Sequence, residues 1–475
     1  MSEKMPSVRL NMVMNALLTA SSIVFPLISL PYVTRILGPD HVGKVYFANS
    51  VVTTFAIFAE LGIPVYGIRA CAKVRDDREK LSETAQEILI INMVSCLAAY
   101  VLFGIALAAV PRFAQDRRLL ILMSSLILLN ALGAEWLYKA IERYTYITVR
   151  SVIFKVIALA GMFLLVTKES DYVIYGGLTI FAAAASNVLN MINLRRHISL
   201  KKAGKYRFRR HLPAMLLLFA LAAATSIYTN LDTAFLGFLK GDGQAGLYGV
   251  SVRIKLVVVS LITSVSAVLL PRASYYVELR EERKFQELIT RTAELVMMLA
   301  VPAVCYFAAF APECIALLAG DKFSGAVLPM RIIMITVVFV GISNIAGMQV
   351  LVPEGRDFDV AIAAAAGAVI DLILNCLLIP RFASAGAAAA TLAAEVIVTL
   401  YLVKKADALL NTGILRDVRW GRVTGLSLAA AVLSMTAKAL RAGPFTTLLV
   451  AALIFAAVYA GGMIITEKYL KREKQ

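Results

Sequence analysis

The chain has 475 residues, of which 60% are hydrophobic and 17% charged, against about 45–50% and about 25% in soluble proteins. That surplus of apolar residues excludes a soluble globular enzyme, a disordered chain and a secreted disulfide scaffold. The net charge of +17 does not point to nucleic acid, because the basic residues fall in short loops between apolar runs, where they report orientation.

Apolar runs of about 20 or more residues, each long enough to cross a ~30 Å hydrocarbon core, recur about fourteen times. They lie near 11–36, 42–71, 85–110, 118–140, 147–167, 171–194, 213–239, 244–270, 288–310, 325–352, 358–380, 383–403, 420–440 and 444–466. An all-α integral membrane protein follows. The first run is longer than a signal-peptide core and no polar mature region comes after it, so it reads as an uncleaved span. With the N-terminus placed in the cytoplasm, about 31 of the 48 Lys and Arg fall on that side and about 11 on the other. This bias puts both termini in the cytoplasm.

The densest basic cluster, Arg195 to Arg210 (RRHISLKKAGKYRFRR), separates the sixth and seventh spans and halves the chain. It reads as a topology anchor and linker, with anionic lipid head groups as its alternative contact. Gly38 and Gly43 after span one match Gly241 and Gly246 after span seven at an offset of 203, and Gly176 with Arg195 matches Gly386 with Lys405 at an offset of 210. Such offsets imply two six-helix lobes related by a parallel repeat. The expected division is 1–194 for the N-terminal lobe, 195–212 for the basic linker, 213–403 for the C-terminal lobe, and 404–475 for helices thirteen and fourteen with a basic tail.

Two phosphate-loop lookalikes fail on context. GPDHVGKV, Gly38 to Val45, has Val45 where a Ser or Thr would ligate magnesium, and GDGQAG, Gly241 to Gly246, has no strand before it. Both read as tight turns between helices. The three histidines, His41, His197 and His211, are isolated in loops, and the five cysteines are scattered through apolar segments. No metal site, cofactor motif or catalytic triad is expected, and no outer loop exceeds about 15 residues.

Charges inside spans are costly and tend to mark pathways. Here they are Glu60, Glu135, Lys155, Asp232, Arg253, Lys255, Arg331, Asp371 and Glu395. Counted along their helices at 1.5 Å per residue, Asp232, Arg253 and Lys255 all fall ~10–17 Å below the outer surface. They read either as an anion site tuned by an acid or as an ion pair locking the hairpin. Glu60 and Lys155 are similarly deep, and Arg35 stands at the outer end of span one. Spans thirteen and fourteen carry no deep charge and present an apolar surface.

Five strings, PYVTRILGPDHVGKVYFANSV (Pro31 to Val51), ELGIPVYGIRACAKV (Glu60 to Val74), EWLYKAIERYTYITVRSVIFK (Glu135 to Lys155), YTNLDTAFLG (Tyr228 to Gly237) and IPRFASAGAAAATLAAE (Ile379 to Glu395), together resemble bacterial polysaccharide flippases of the Wzx type, in the MOP transporter superfamily. The resemblance runs over spans one to twelve. It implies two six-helix lobes around a central cavity and no enzymatic activity. It also implies alternating-access export of an undecaprenyl-diphosphate-linked oligosaccharide across the bacterial cytoplasmic membrane, with membrane lipids and polysaccharide polymerase machinery as partners. Related flippases place arginines in spans one, two and eight, for which Arg35, Arg69 and Arg253 are the nearest candidates here; the deep charges themselves add Lys255 and Lys155 for the diphosphate, and Asp232, Glu60 and Glu395 for proton or sodium coupling. The competing readings are a multidrug or organic-cation antiporter of the same superfamily, which favours acidic and aromatic cavities, and a membrane enzyme of polysaccharide assembly.

Overall fold

In a computed structural model of the protein, residues 8–199, 201, 206–410, 413–416, 418–440 and 442–472 are described. Part of the basic linker, including Lys202 and Lys205, and the ends of both terminal segments lie outside them. Among the described residues the fold is all helical. The principal helices are α1 (Val8–Glu60), α2 (Ile63–Ala72), α3 (Arg78–Ala109), α4 (Arg117–Gly133), α5 (Glu135–Ala140), α6 (Tyr144–Leu165), α7 (Tyr172–Ile180), α8 (Asn187–His197), α9 (Leu212–Leu239), α10 (Asp242–Glu278), α11 (Glu282–Ala309), α12 (Val327–Asn344), α13 (Asp357–Leu410), α14 (Trp420–Ser434) and α15 (Pro444–Arg472).

Eleven stretches among the described residues are long and apolar enough to cross a membrane, and a pair bent by 53° within α9 makes a twelfth. Two are double length: Arg9–Ala72 has 64 residues and Asp357–Leu410 has 54, or ~96 and ~81 Å of helix. Each contains a turn, at Gly38 (φ 70°) and at Ala383 (φ 49°). In α13 the chain doubles back there. Asp359 takes a hydrogen bond from Tyr401 (3.2 Å) and an ion pair from Lys405 (3.2 Å), and a Cβ on Gly386 would meet the Leu378 carbonyl at 2.5 Å. Read this way, the stretches are compatible with the fourteen expected spans, and the protein is a multi-pass membrane protein.

Two compact units divide after Gly246. In the first, side-chain contacts fix the direction of each span. The opening half of α1 runs alongside α6 in the same sense, through Thr148 Oγ1 to the Met14 carbonyl, Lys155 Nζ to Ser21 and Ser22, and Tyr32 to the Phe163 and Val166 carbonyls. Past Gly38, α1 runs antiparallel to α3, with Phe55 against Phe103 and Ser95 bonded to the Ala59 carbonyl. The helix α3 in turn runs antiparallel to α4, through Tyr100 to Ser124 and Asn92 to Ala131. Within each span the helix bonds its own backbone, as a bilayer demands.

This unit also takes in α9, which the sequence assigned to the second lobe. The reason is close packing. A Cβ on Gly237 would lie 2.2 Å from the Phe47 ring, one on Gly62 2.5 Å from the Met215 carbonyl, and Ser50 Oγ donates to the Asn230 carbonyl. The two expected turns are partly helical instead. Gly38 and Gly241 do turn, both left-handed (φ 70° and 86°). Gly43 and Gly246, however, are helical and let two backbones touch: a Cβ on Gly43 would sit 1.8 Å from the Asp242 carbonyl oxygen.

In the second unit, α10 runs with α12, held by Ser251 Oγ to the Ala326 carbonyl (3.0 Å) and Gln349 Nε2 to the Ser266 carbonyl (2.9 Å). The pair α14 and α15 packs on α11 through Ala430, Ala431 and Phe455 against Cys305, Tyr306 and Ala309. Tyr306 donates to the Leu448 carbonyl and Tyr459 to that of Met298. Their other faces expose Leu428, Val432, Leu449 and Leu453, the apolar surface expected of spans thirteen and fourteen. All five cysteines are free, and no cluster of metal-binding side chains occurs among the described residues.

Candidate functional site

Three spans of the first unit are interrupted at about the same level. Glu60 ends α1, and Leu61 (φ 44°) and Gly62 (φ 72°) bend the chain into α2. Ala134 (φ 43°) separates α4 from α5, which puts Glu135 in the first turn of a new helix. Between α7 and α8, Phe181–Ala185 widens into a π-helix just before Ser186 and Asn187. Left-handed non-glycine residues are strained, and π-turns are rare; both concentrate at working sites. Broken membrane helices are tolerated where they line a protein-filled or water-filled interior.

Between these breaks lies a cavity of about 240 Å³ lined by Glu60, Asn92, Asn130, Trp136, Lys139 and Asn187, among others. A single chain of hydrogen bonds frames it. Asn130 Nδ2 donates to Glu60 (3.2 Å), Asn187 Nδ2 to Asn130 Oδ1 (3.4 Å), and Arg150 Nη1 to Asn187 Oδ1 (3.2 Å) and to Ser186 Oγ (2.7 Å). Glu135 closes the chain by pairing with Arg150 (3.4 Å) and Lys139 (2.8 Å). Small residues make room for the frame. A Cβ on Gly133 would meet the Asn187 side chain at 2.4 Å, and one on Gly67 the Trp136 ring at 2.6 Å.

Of the residues expected from the sequence, Glu60 lines this cavity and the five basic ones do not. Lys155 is buried, and its ammonium is shared between Ser21 (2.8 Å) and Ser22 (2.7 Å) on α1. Its position in the structure is that of a clamp between two spans. Arg35 is exposed, with Nη1 bonded to the Pro31 carbonyl, and Arg69 is exposed in the last turn of α2. Asp232 is buried in the first unit. In the second, Arg253 and Lys255 are half-buried on α10 and Glu395 is buried on α13.

Sequence reasoning passed over the amides and two charges. Arg150, with 4% of its surface exposed, anchors the frame from α6. Asn92, Asn130, Asn187 and Asn190 stand in three otherwise apolar stretches, and that pattern was the available signal. Glu87, fully buried on α3, gathers the end of the basic linker. It accepts from the Arg207 backbone N–H (2.5 Å) and from Arg210 Nη2 (2.6 Å), and it bonds His211 Nε2 (2.6 Å).

Residues 9–277 match the model of a family described as polysaccharide biosynthesis protein. The chain belongs to that family. It is 22% identical over 398 residues to a putative O-antigen transporter of Escherichia coli strain K12, covering 83% of this chain and 95% of that one. A shorter match, 25% identical over 166 residues and 34% of each chain, is to a probable low-salt glycan biosynthesis flippase of Haloferax volcanii. Among solved structures, the lipid II flippase MurJ in an inward closed conformation superposes with a TM-score of 0.76 at 16% identity, over 97% of this chain and 99% of that one. An inward-facing multidrug resistance MATE transporter of the MOP superfamily superposes at 0.61 and 13% identity, over 85% and 99%. The fold is thus the one shared by MOP superfamily transporters, as the sequence resemblance implied.

Proposed function

We propose that this protein is a flippase that moves an undecaprenyl-diphosphate-linked oligosaccharide from the inner to the outer leaflet of the bacterial cytoplasmic membrane, for cell-surface polysaccharide synthesis. The observation that carries the reading is the match over nearly the whole length of a putative O-antigen transporter. The interior supports it in one respect: Arg150 and Lys155 are buried cations, the first bonded to Ser186 and Asn187 and the second to Ser21 and Ser22, and buried positive charge favours an anionic substrate over an organic cation. It is a transporter and not an enzyme.

In this mechanism Arg253 and Lys255, with Arg35, Arg69 and the remaining proton of Lys155, neutralise the diphosphate, while the exposed apolar faces of α14 and α15 accommodate the polyprenyl tail. Transport is by alternating access, as the resemblance implies. Proton or sodium binding at Glu60, Asp232 or Glu395, or the membrane potential at about 2.3 kcal/mol per charge and 100 mV, supplies the bias. Both termini are cytoplasmic, and a polysaccharide polymerase consumes the product.

The test is a flipping assay in proteoliposomes that compares an undecaprenyl-diphosphate oligosaccharide with a cationic dye, each with and without an ion gradient. Movement of the lipid-linked sugar, weakened when Arg253 and Lys255 are both changed to Ala, is the expected result. Movement of the dye alone overturns it in favour of an antiporter.

A further inference from the structure

At the end of α3 remote from the basic linker, one arginine gathers three parts of the first unit. Arg112 donates through Nη1 to Gln115 (2.6 Å), pairs with Asp116 (3.6 Å), and pairs through Nη2 with Asp242, the first residue of α10. Its Nε bonds the Gly237 carbonyl on α9 (3.4 Å), and its guanidinium lies 4.8 Å over the Phe47 ring on α1. Asp116, itself buried, also takes Lys44 (3.3 Å) and the Tyr172 hydroxyl (3.0 Å). Beside this hub the α9–α10 turn lies directly on α1. Gly43 meets the Asp242 carbonyl, Gly246 meets the Pro39 carbonyl, and a Cβ on Gly243 would stand 2.6 Å from Asp40 Oδ1. Phe238 covers Phe47 and Phe113, with ring centroids 5.1 and 5.7 Å away.

The division between the two compact units falls inside α10, after Gly246. One helix therefore has its first turn fastened to the first unit and its remainder, as far as Glu278, in the second. It cannot shift as a rod without carrying α1 and Arg112 along or parting from them. The contacts are of a kind that parts cheaply. If the turn leaves, Arg112 keeps Gln115 and Asp116, and Asp116 keeps Lys44 and Tyr172. No charge is then left buried and unpaired, which is the costly result of breaking an ion pair. Asp242 passes to water at the N-terminal end of α10, where the helix dipole favours a carboxylate. Glycines packed against backbone have no interlocked side chains to undo.

We propose that Arg112 and Asp242 form a latch, closed in this structure, whose release lets the first turn of α10 leave α1 during transport. The latch rests on the transporter reading and is indifferent to which substrate moves. A pivot that never parts is the competing role for the same contacts, and locking them shut separates the two.

The first experiment locks the turn in full-length protein. The Cβ position at Gly243 is 3.6 Å from Asp40 Cγ, within reach of a disulfide, whose Cβ atoms stand about 3.5–4.5 Å apart. Asp40→Cys/Gly243→Cys protein in proteoliposomes, oxidised with copper phenanthroline, is expected to stop flipping the lipid-linked oligosaccharide and to resume in dithiothreitol. Transport that continues with the bond formed, or a bond that does not form, overturns the latch.

The second experiment needs no transport. Ser50 is buried on α1 and donates to the Asn230 carbonyl of α9, so the thiol of Ser50→Cys reports separation of the two helices. Its labelling by a charged methanethiosulfonate, read by mass spectrometry, should rise roughly tenfold when Asp242→Asn is added, the scale of a charged hydrogen bond made neutral. The native Cys71 and Cys96, buried elsewhere in the unit, should stay unlabelled. No rise at residue 50 overturns the latch, and so does a rise at all three, which is unfolding. A wild type that moves no lipid-linked sugar removes the flippase reading instead, and the labelling still judges the latch.

Discussion

Glu87→Gln should release the interlobe linker from the first unit without unfolding it. The wild-type carboxylate is fully buried and accepts from the Arg207 backbone N–H, from Arg210 through Nε (3.0 Å) and Nη2, and engages His211, whose ring is also buried and bonded to Tyr66 (2.7 Å). Hydrogen bonds to a charged partner contribute about 1.5–3 kcal/mol each. Arg210 is 44% exposed, so its share is discounted for solvent screening. The Arg207 N–H and His211 carry most of the remainder. Glutamine keeps one acceptor oxygen but presents an N–H₂ to groups that are themselves donors. A net loss of about 2–3 kcal/mol follows, or roughly 30- to 140-fold in the local opening equilibrium at 1.4 kcal/mol per factor of ten. Limited trypsin digestion after Arg207, Arg209 and Arg210, with hydrogen exchange of residues 206–211, measures that opening. Cleavage is expected to accelerate by that factor while the global melting temperature stays close to wild type. Unchanged cleavage and exchange would refute the reasoning, because the linker would then be held by something other than Glu87.

Gly43→Ala places a methyl group where a backbone carbonyl already stands, and it should destabilise by about 1–3 kcal/mol or more, whereas Gly104→Ala, with nothing within 4 Å, should be neutral or stabilising by up to ~1 kcal/mol. Thermal unfolding of the two variants side by side checks the pair, and equal melting temperatures would contradict the close approach. Arg150→Met leaves Glu135 and Asn187 short of a donor and should cost about 2–3 kcal/mol, reduced from the value for a fully buried pair because Glu135 is 36% exposed; denaturant unfolding reads it. Lys155→Met keeps the packing, and Ser21 and Ser22 both still bond the Leu18 carbonyl. Stability should therefore change by less than about 1.5 kcal/mol, while flipping of the lipid-linked substrate falls if the ammonium serves the diphosphate.

Composition and hydropathy determined the class of this protein, because a bilayer forces every span to be long, apolar and internally bonded. The turns at Gly38 and Gly241 were legible for a similar reason: only residues that tolerate a left-handed backbone reverse a chain so tightly. Where the spans break was not legible. Leu61 and Ala134 are not residues that announce a left-handed turn, and their strain persists because packing imposes it, as the fit of Gly62 against the Met215 carbonyl shows. Charges drew attention to Glu60 and Lys155 as a pair of deep groups. Only tertiary contacts decided that one lines a cavity and the other clamps two helices, since burial and partners depend on which faces meet. The amides of the cavity and the buried Glu87 escaped notice because a single polar residue in an apolar run looks the same whether it is satisfied, orphaned or gathering a linker from 120 residues away. The sequence alone thus settles what kind of solvent this chain lives in. Which of its polar groups meet, and what each is bonded to, is a property of the folded arrangement.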